Sequence, residues 1–152
     1  MLLVFFGGVV IAGLGQGKKK LPLPSAGMCP LREGVATVDT FRQYYYGDPR
    51  PGLTIEGKDS LVLSVRDGEV QAVFSVGDVK AVIIRSGTYY FYTCTNLDSV
   101  YVSKGQQVKA GQVLGTRPVD LPLEFLFSLG DGRDRWDQQR FVDCKVVYAK
   151  RR

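Results

Sequence analysis

The sequence predicts an all-β fold, a barrel-sandwich hybrid built of antiparallel sheets. Three observations lead there. From Val35 onward apolar residues recur with period two, glycine and aspartate turn signals interrupt that pattern every few residues, and no segment carries a sustained helical stripe. The chain has 152 residues, 45% hydrophobic and 23% charged. That length and balance suit one compact domain with a single core.

At the start, Met1 to Gly15 (MLLVFFGGVVIAGLG) carries no charged side chain and is followed at once by Gln16-Gly17 and Lys18-Lys19-Lys20. The stretch is too short to span a bilayer comfortably and ends in small residues, so residues 1–15 read as a signal peptide. An uncleaved anchor and a buried N-terminal strand are the rival readings. Residues 16–27 then form a Pro- and Gly-interrupted linker, and residues 28–152 form the domain, closed by the basic tail Lys150-Arg151-Arg152.

Within the domain, Leu61 to Val65 is a strand, Arg66-Asp67-Gly68 a hairpin turn and Glu69 to Val76 the returning strand. Gly77-Asp78 turns the chain into Val79 to Ile84, rich in β-branched residues. Ser86-Gly87 leads to Tyr89 to Thr95 and then to Ser99 to Val102. The unit from Lys104 to Gly115 is a glycine-punctuated double turn of the kind that passes a chain between sheets. Leu123 to Leu129 (LEFLFSL) is a strong strand closed by Gly130-Asp131-Gly132, and Lys145 to Ala149 is the last strand. Leu61, Leu63, Phe74, Val82, Ile84, Val113, Phe125 and Phe127 are expected to be mostly buried.

Twenty Lys and Arg oppose 15 Asp and Glu, a net charge of +5. That sign favours anionic surfaces, although it most often serves solubility alone. No nucleic acid is expected as a partner, and any membrane contact is peripheral. The cysteines Cys29, Cys94 and Cys144 show no C-x-x-C spacing, and the chain has no histidine. They make a poor zinc set. One disulfide plus one buried thiol suits an exported protein, with the pairing left open.

Six segments in order resemble the lysostaphin-like or LytM-type family of zinc endopeptidases, which cut peptide cross-bridges in peptidoglycan. Gly34 to Phe41 (GVATVDTF), with Cys29-Pro30 before it, looks like the family's opening strand. Arg50 to Ile55 (RPGLTI) stands where the family has H-x-G-x-D-h. Val65 to Val70 (VRDGEV) is similar to its A-x-D-G-x-V hairpin, Cys94 to Leu97 (CTNL) replaces Y-A-H-L, and Lys104–Gly115 is similar to its glycine-rich signature. Leu123-Glu124-Phe125 replaces the core of H-L-H-F-E. The resemblance covers roughly residues 28–145 and implies the family's duplicated-hybrid-motif architecture.

At the family's metal-ligand positions this chain carries Arg50, Thr54 and Glu124, and at its catalytic histidine positions Asn96 and Pro122. A hydrolytic zinc site needs three electron-pair donors and an open position for water. A guanidinium is cationic and donates only. The resemblance therefore implies a pseudoenzyme without metal or other cofactor, in which an Arg50–Glu124 ion pair fills the former metal position with Thr54 and Asn96 beside it. The alternative is that both side chains face solvent in a closed cleft.

Tyr44, Tyr45 and Tyr46 precede this pseudo-site, and Tyr90 and Tyr92 lie on the strand entering it. They are ligand-binding candidates for glycan or peptide. Alternation along the strand implies that two of Tyr89 to Tyr92 face the core instead. Trp136 is expected to anchor the loop from Gly132 to Gln139. The function expected is a non-catalytic envelope module that binds wall fragments or regulates another wall hydrolase. A structural subunit of an envelope assembly is the alternative. Family members that activate amidases carry a coiled coil, and no heptad repeat occurs here.

Overall fold

The computed structural model describes residues 22–38, 52–130 and 137–149. The proposed signal peptide, Tyr44 to Tyr46, Arg50 and Trp136 lie outside the described residues. The strands are β1 (Gly27–Met28), β2 (Val35–Val38), β3 (Leu53–Glu56), β4 (Leu61–Leu63), β5 (Gly68–Val76), β6 (Val79–Ser86) and β7 (Tyr90–Leu97). There follow β8 (Ser99–Val100), β9 (Gln107–Val108), β10 (Val113–Thr116), β11 (Leu123–Leu129), β12 (Val142–Asp143) and β13 (Lys145–Tyr148). A 3-10 turn, Gln138–Phe141, is the helical element among the described residues.

An eight-stranded sheet runs β13-β2-β3-β11-β7-β6-β5-β9, a three-stranded sheet runs β4-β10-β8, and β1 pairs with β12. The double turn passes between the two larger sheets, as expected: β9 ends in one and β10 begins in the other. Gly105 and Gly111 sit at its corners with φ of 90° and 85°. A side chain would be strained at either corner. The ladders are antiparallel except β1 with β12 and β2 with β13, which run parallel where the two ends of the domain meet.

Alternation along β11 makes the core. Leu123, Phe125, Phe127 and Leu129 point inward, the first three wholly buried, while Glu124 is exposed. They join Tyr92, Cys94, Val82 and Ile84 from the large sheet and Val62 and Leu114 from the small one. Phe141, on the 3-10 turn, stacks on Phe127 with ring centroids 3.9 Å apart. Each such ring contributes roughly 1.5–3 kcal/mol through burial.

The structure corrects three local expectations. The hairpin across Arg66-Asp67-Gly68 does not form, because β4 pairs with β10 and β5 pairs with β6 and β9. Leu61, Leu63 and Val113 are half-buried because Val62 and Leu114 face the core instead. A shift of one residue turns a strand's whole apolar set over. Phe74 is 42% exposed, since the β5–β6 hairpin extends beyond β9.

Cys29 and Cys144 form a disulfide with Cα atoms 4.9 Å apart, and Cys94 is free and buried. The bond joins the start of the domain to its end across a sequence separation of 115. Closing so long a loop restricts the unfolded chain strongly. Replacing both Cys29 and Cys144 by serine is expected to cost about 2–5 kcal/mol in denaturant melts.

Burial pushes the Cys94 thiol up to about 12 from its ordinary 9.0. Burial likewise raises the Tyr92 phenol, opposed by the nearby Arg66 charge. Such groups stay protonated in the fold after they have ionised in the unfolded chain. For Cys94 that contribution is therefore complete below pH 9.0 and is lost as the pH rises toward about 12. Denaturation midpoints should fall across that window, and less steeply for Cys94→Ala. Without denaturant, a thiol reagent at neutral pH should leave Cys94 unlabelled.

Candidate functional site

Register places the site on the outer face of the large sheet. Glu124 on β11 stands opposite Thr54 on β3 and opposite Thr95 on β7. Thr54 in turn stands opposite Thr37 on β2. Their neighbours Leu53, Ile55, Leu123, Phe125 and Cys94 point the other way, into the core. The row Thr37, Thr54, Glu124, Thr95 therefore crosses four strands as a band of hydroxyls around one exposed carboxylate.

Asn96 and Pro122 meet at the end of this row. The Asn96 amide donates to the Pro122 carbonyl at 2.9 Å, tying the exit of β7 to the entry of β11. Asn96 adopts φ of 76°, a left-handed conformation that asparagine accepts more readily than most residues. Of the five pseudo-site positions, Thr54 and Glu124 are thus adjacent and Asn96 touches Pro122, while Arg50 and its pairing with Glu124 lie outside the described residues.

The tyrosines β7 contributes serve packing. Tyr92 is 2% exposed, with its ring 5.3 Å from that of Phe127 and 6.1 Å from that of Phe125. Its buried hydroxyl lies near the Arg66 guanidinium but meets no hydrogen-bond geometry, and the buried Arg66 Nε is likewise unpaired. The Tyr90 ring packs 6.0 Å from Phe127, and its hydroxyl donates to the Pro22 carbonyl, pinning the segment that leads to β1. Neither residue walls a cleft. Tyr92 and Cys94 face inward with Tyr90 on the same side, so the outer face at that level carries Phe91 and Thr93 instead.

A cavity of about 560 Å³ adjoins the row. Glu56, two residues beyond Thr54 on the same face, and Val35 opposite it form its wall with Arg32, Glu33, Gly57, Lys58 and Asp59. Arg32 pairs loosely with Asp59 at 3.8 Å. The cavity thus offers both signs of charge beside Val35.

Sequence reasoning missed the residue that holds this rim. Arg117 is 3% exposed and donates from Nε to the Asp59 carbonyl at 3.2 Å. Its Nη1 donates to the carbonyls of Pro118 at 3.3 Å and Leu121 at 2.8 Å, and its Nη2 to that of Gly57. One guanidinium therefore fastens the 57–60 loop of the cavity to the 118–121 loop that leads into β11. Its partners are backbone atoms spread over the chain, and no sequence motif signals them.

Among the described residues no group of three or more His, Cys, Asp or Glu could hold a metal ion. The row supplies one carboxylate and neutral hydroxyls, a donor set that does not fit a hydrolytic zinc centre. Nor is either described thiol set up for nucleophilic catalysis: Cys29 is bonded to Cys144, and Cys94 is buried with its proton held.

This architecture defines a β-sheet domain of the LytM type. The profile of Peptidase family M23 matches residues 48–118, and the chain contains no histidine. A chain of the SpoIIQ–SpoIIIAH pore-forming complex is similar at 17% identity and a TM-score of 0.61, over 78% of this chain and 92% of that one. Helicobacter pylori Csd3 is similar at 21% identity and a TM-score of 0.57, over 70% of this chain and 30% of that one. The catalytic domain of the prophage-encoded M23 protein EnpA from Enterococcus faecalis, in a mutant form, is similar at 18% identity and a TM-score of 0.51, over 76% of this chain and 89% of that one. At such identities these likenesses establish the fold. The chain spans a third or less of the length of several structures it matches. No curated protein matches it.

Removing the Arg117 guanidinium would strand several buried carbonyls. Arg117→Ala is expected to cost about 2–4 kcal/mol in denaturant melts. Arg117→Lys should recover only part of that, because one ammonium cannot reproduce the fork.

Proposed function

We infer that this domain is a non-catalytic cell-envelope module, exported, that binds peptidoglycan fragments or controls another wall hydrolase through the outer face of its large sheet. The observation that carries the reading is the row Thr54, Glu124 and Thr95 beside the charged cavity. The M23-type sheet retains its site-bearing face, but hydroxyls and one carboxylate stand where imidazoles would be needed. Arg32 and Lys58 can take a carboxylate of a peptide, and Glu33, Glu56 and Asp59 an amino group. Wall peptides carry both kinds of group.

The Arg50–Glu124 ion pair and the Tyr44 to Tyr46 cluster belong to this reading, the pair replacing metal charge and the tyrosines extending the contact surface. A second reading, a structural subunit of an envelope assembly, draws on the likeness to a chain of a pore-forming complex over 92% of its length. Among the described residues no helix is long and apolar enough to cross a membrane.

Cosedimentation with purified sacculi separates these readings. The protein should pellet with sacculi in a salt-sensitive manner, and Lys58→Glu should reduce the pelleted fraction without lowering the melting temperature. Capture of envelope proteins with no retention on sacculi would favour the assembly subunit. Stoichiometric zinc together with peptide release from peptidoglycan would overturn both readings.

A further inference from the structure

Strand β5 outruns its neighbour. Strand β9 pairs only with Gly68 and Glu69, whereas β6 accompanies β5 as far as Val76 opposite Val79. From Ala72 to Val76 one side of β5 has no partner strand among the described residues. Val73, Phe74 and Val76 are 37%, 42% and 49% exposed there, and the segment AVFSV contains neither charge nor proline.

The other edge of the sheet, β13, begins at Lys145 and precedes Lys150-Arg151-Arg152. Lysines of that kind are a common guard against further strands. The β5 edge has none, and its apolar residues face both sides of the sheet.

Pairing geometry selects the occupant. The turn at Gly77-Asp78 ties Val76 to Val79, so by alternation Phe74 bonds toward β6 while Val73 and Ser75 turn their N–H and C=O groups outward. A two-fold axis at Phe74 would set Val73 of one copy against Ser75 of the other, and Ala72 against Val76. The Val73–Ser75 pairs would exchange both backbone hydrogen bonds. Phe74 would meet its own counterpart in a non-hydrogen-bonded pair, where side chains approach most closely. No like charges would oppose each other, and Gln71 would meet Gly77. A charged peptide would find no complementary charge on this segment.

We propose that the β5 edge joins two copies of this chain into one continuous antiparallel sheet, an isologous dimer with its axis at Phe74.

Sedimentation of the full chain over a concentration series should show a monomer–dimer equilibrium. Phe74→Glu sets two carboxylates opposite each other and should leave only monomer, melting where the wild type does when diluted to monomer, because Phe74 is already exposed in the single copy. Mild oxidation of Phe74→Cys should give a disulfide-linked dimer, since directly opposed residues lie within the Cα range of a disulfide. Val76→Cys should not link, because the two copies of residue 76 would stand about 14 Å apart. The native cysteines do not compete, being either bonded or buried. A chain that stays monomeric throughout the series, or equal cross-linking at positions 74 and 76, would refute the proposal. Should Phe74→Glu fail to fold, the cysteine pair decides alone.

Discussion

The backbone of β11 lies inside the sandwich, and each of its N–H and C=O groups has to find a partner there. On one side β7 matches it from Glu124 to Leu129. On the other, β3 reaches only as far as Phe125. At Phe127 the side-chain amide of Gln138 takes over: its Oε1 accepts from the Phe127 N–H at 2.6 Å, and its Nε2 donates to the Phe127 carbonyl at 2.9 Å. A carboxamide has the donor and acceptor of a peptide group at a similar spacing, so Gln138, itself 1% exposed, stands in for one residue of a missing strand. With Arg117 holding the loop at the other end, β11 is constrained at both ends, and so is Glu124 relative to Thr54.

Much of this was legible wherever a strand's own alternation decides its placement. Leu123 to Leu129 was expected with the bounds it has, because four apolar residues at period two admit only one inward face. The passage of Lys104–Gly115 between sheets followed from glycines that the corners require. The pairing of β4 was not legible. Asp67-Gly68 is a strong local turn signal, yet the partner of β4 begins at Val113, far along the chain, and long-range pairing overrode the local cue. The inward face of β7 was anticipated only as an alternation, without its phase, and Tyr90 and Tyr92 proved to be on the packed side. Arg117 and Gln138 were invisible for a different reason. Their partners are main-chain atoms, and main-chain atoms leave no trace in residue identity.

The row on the outer face shows how register alone can assemble a polar surface. Strand register puts Thr54, Glu124 and Thr95 side by side whatever their side chains are, since backbone pairing and the core residues between them set the positions. The sheet thus presents a shaped polar surface whose positions do not depend on which side chains occupy them. Asn96 has been absorbed into the scaffold, spending its amide on the Pro122 carbonyl. What remains is directional hydrogen bonding and one exposed carboxylate. Such groups suit recognition of a polar ligand better than activation of water.

The disulfide between Cys29 and Cys144 also sets how the domain carries load. Tension applied through residues 26 and 149 runs along a few residues to a sulfur–sulfur bond and out again. The pull first loads the β13–β2 ladder, and beyond it the bond bypasses the sequence separation of 115, sparing the other strands between the two cysteines. Held at both ends, the domain would act as a short link whose sandwich keeps its shape under traction.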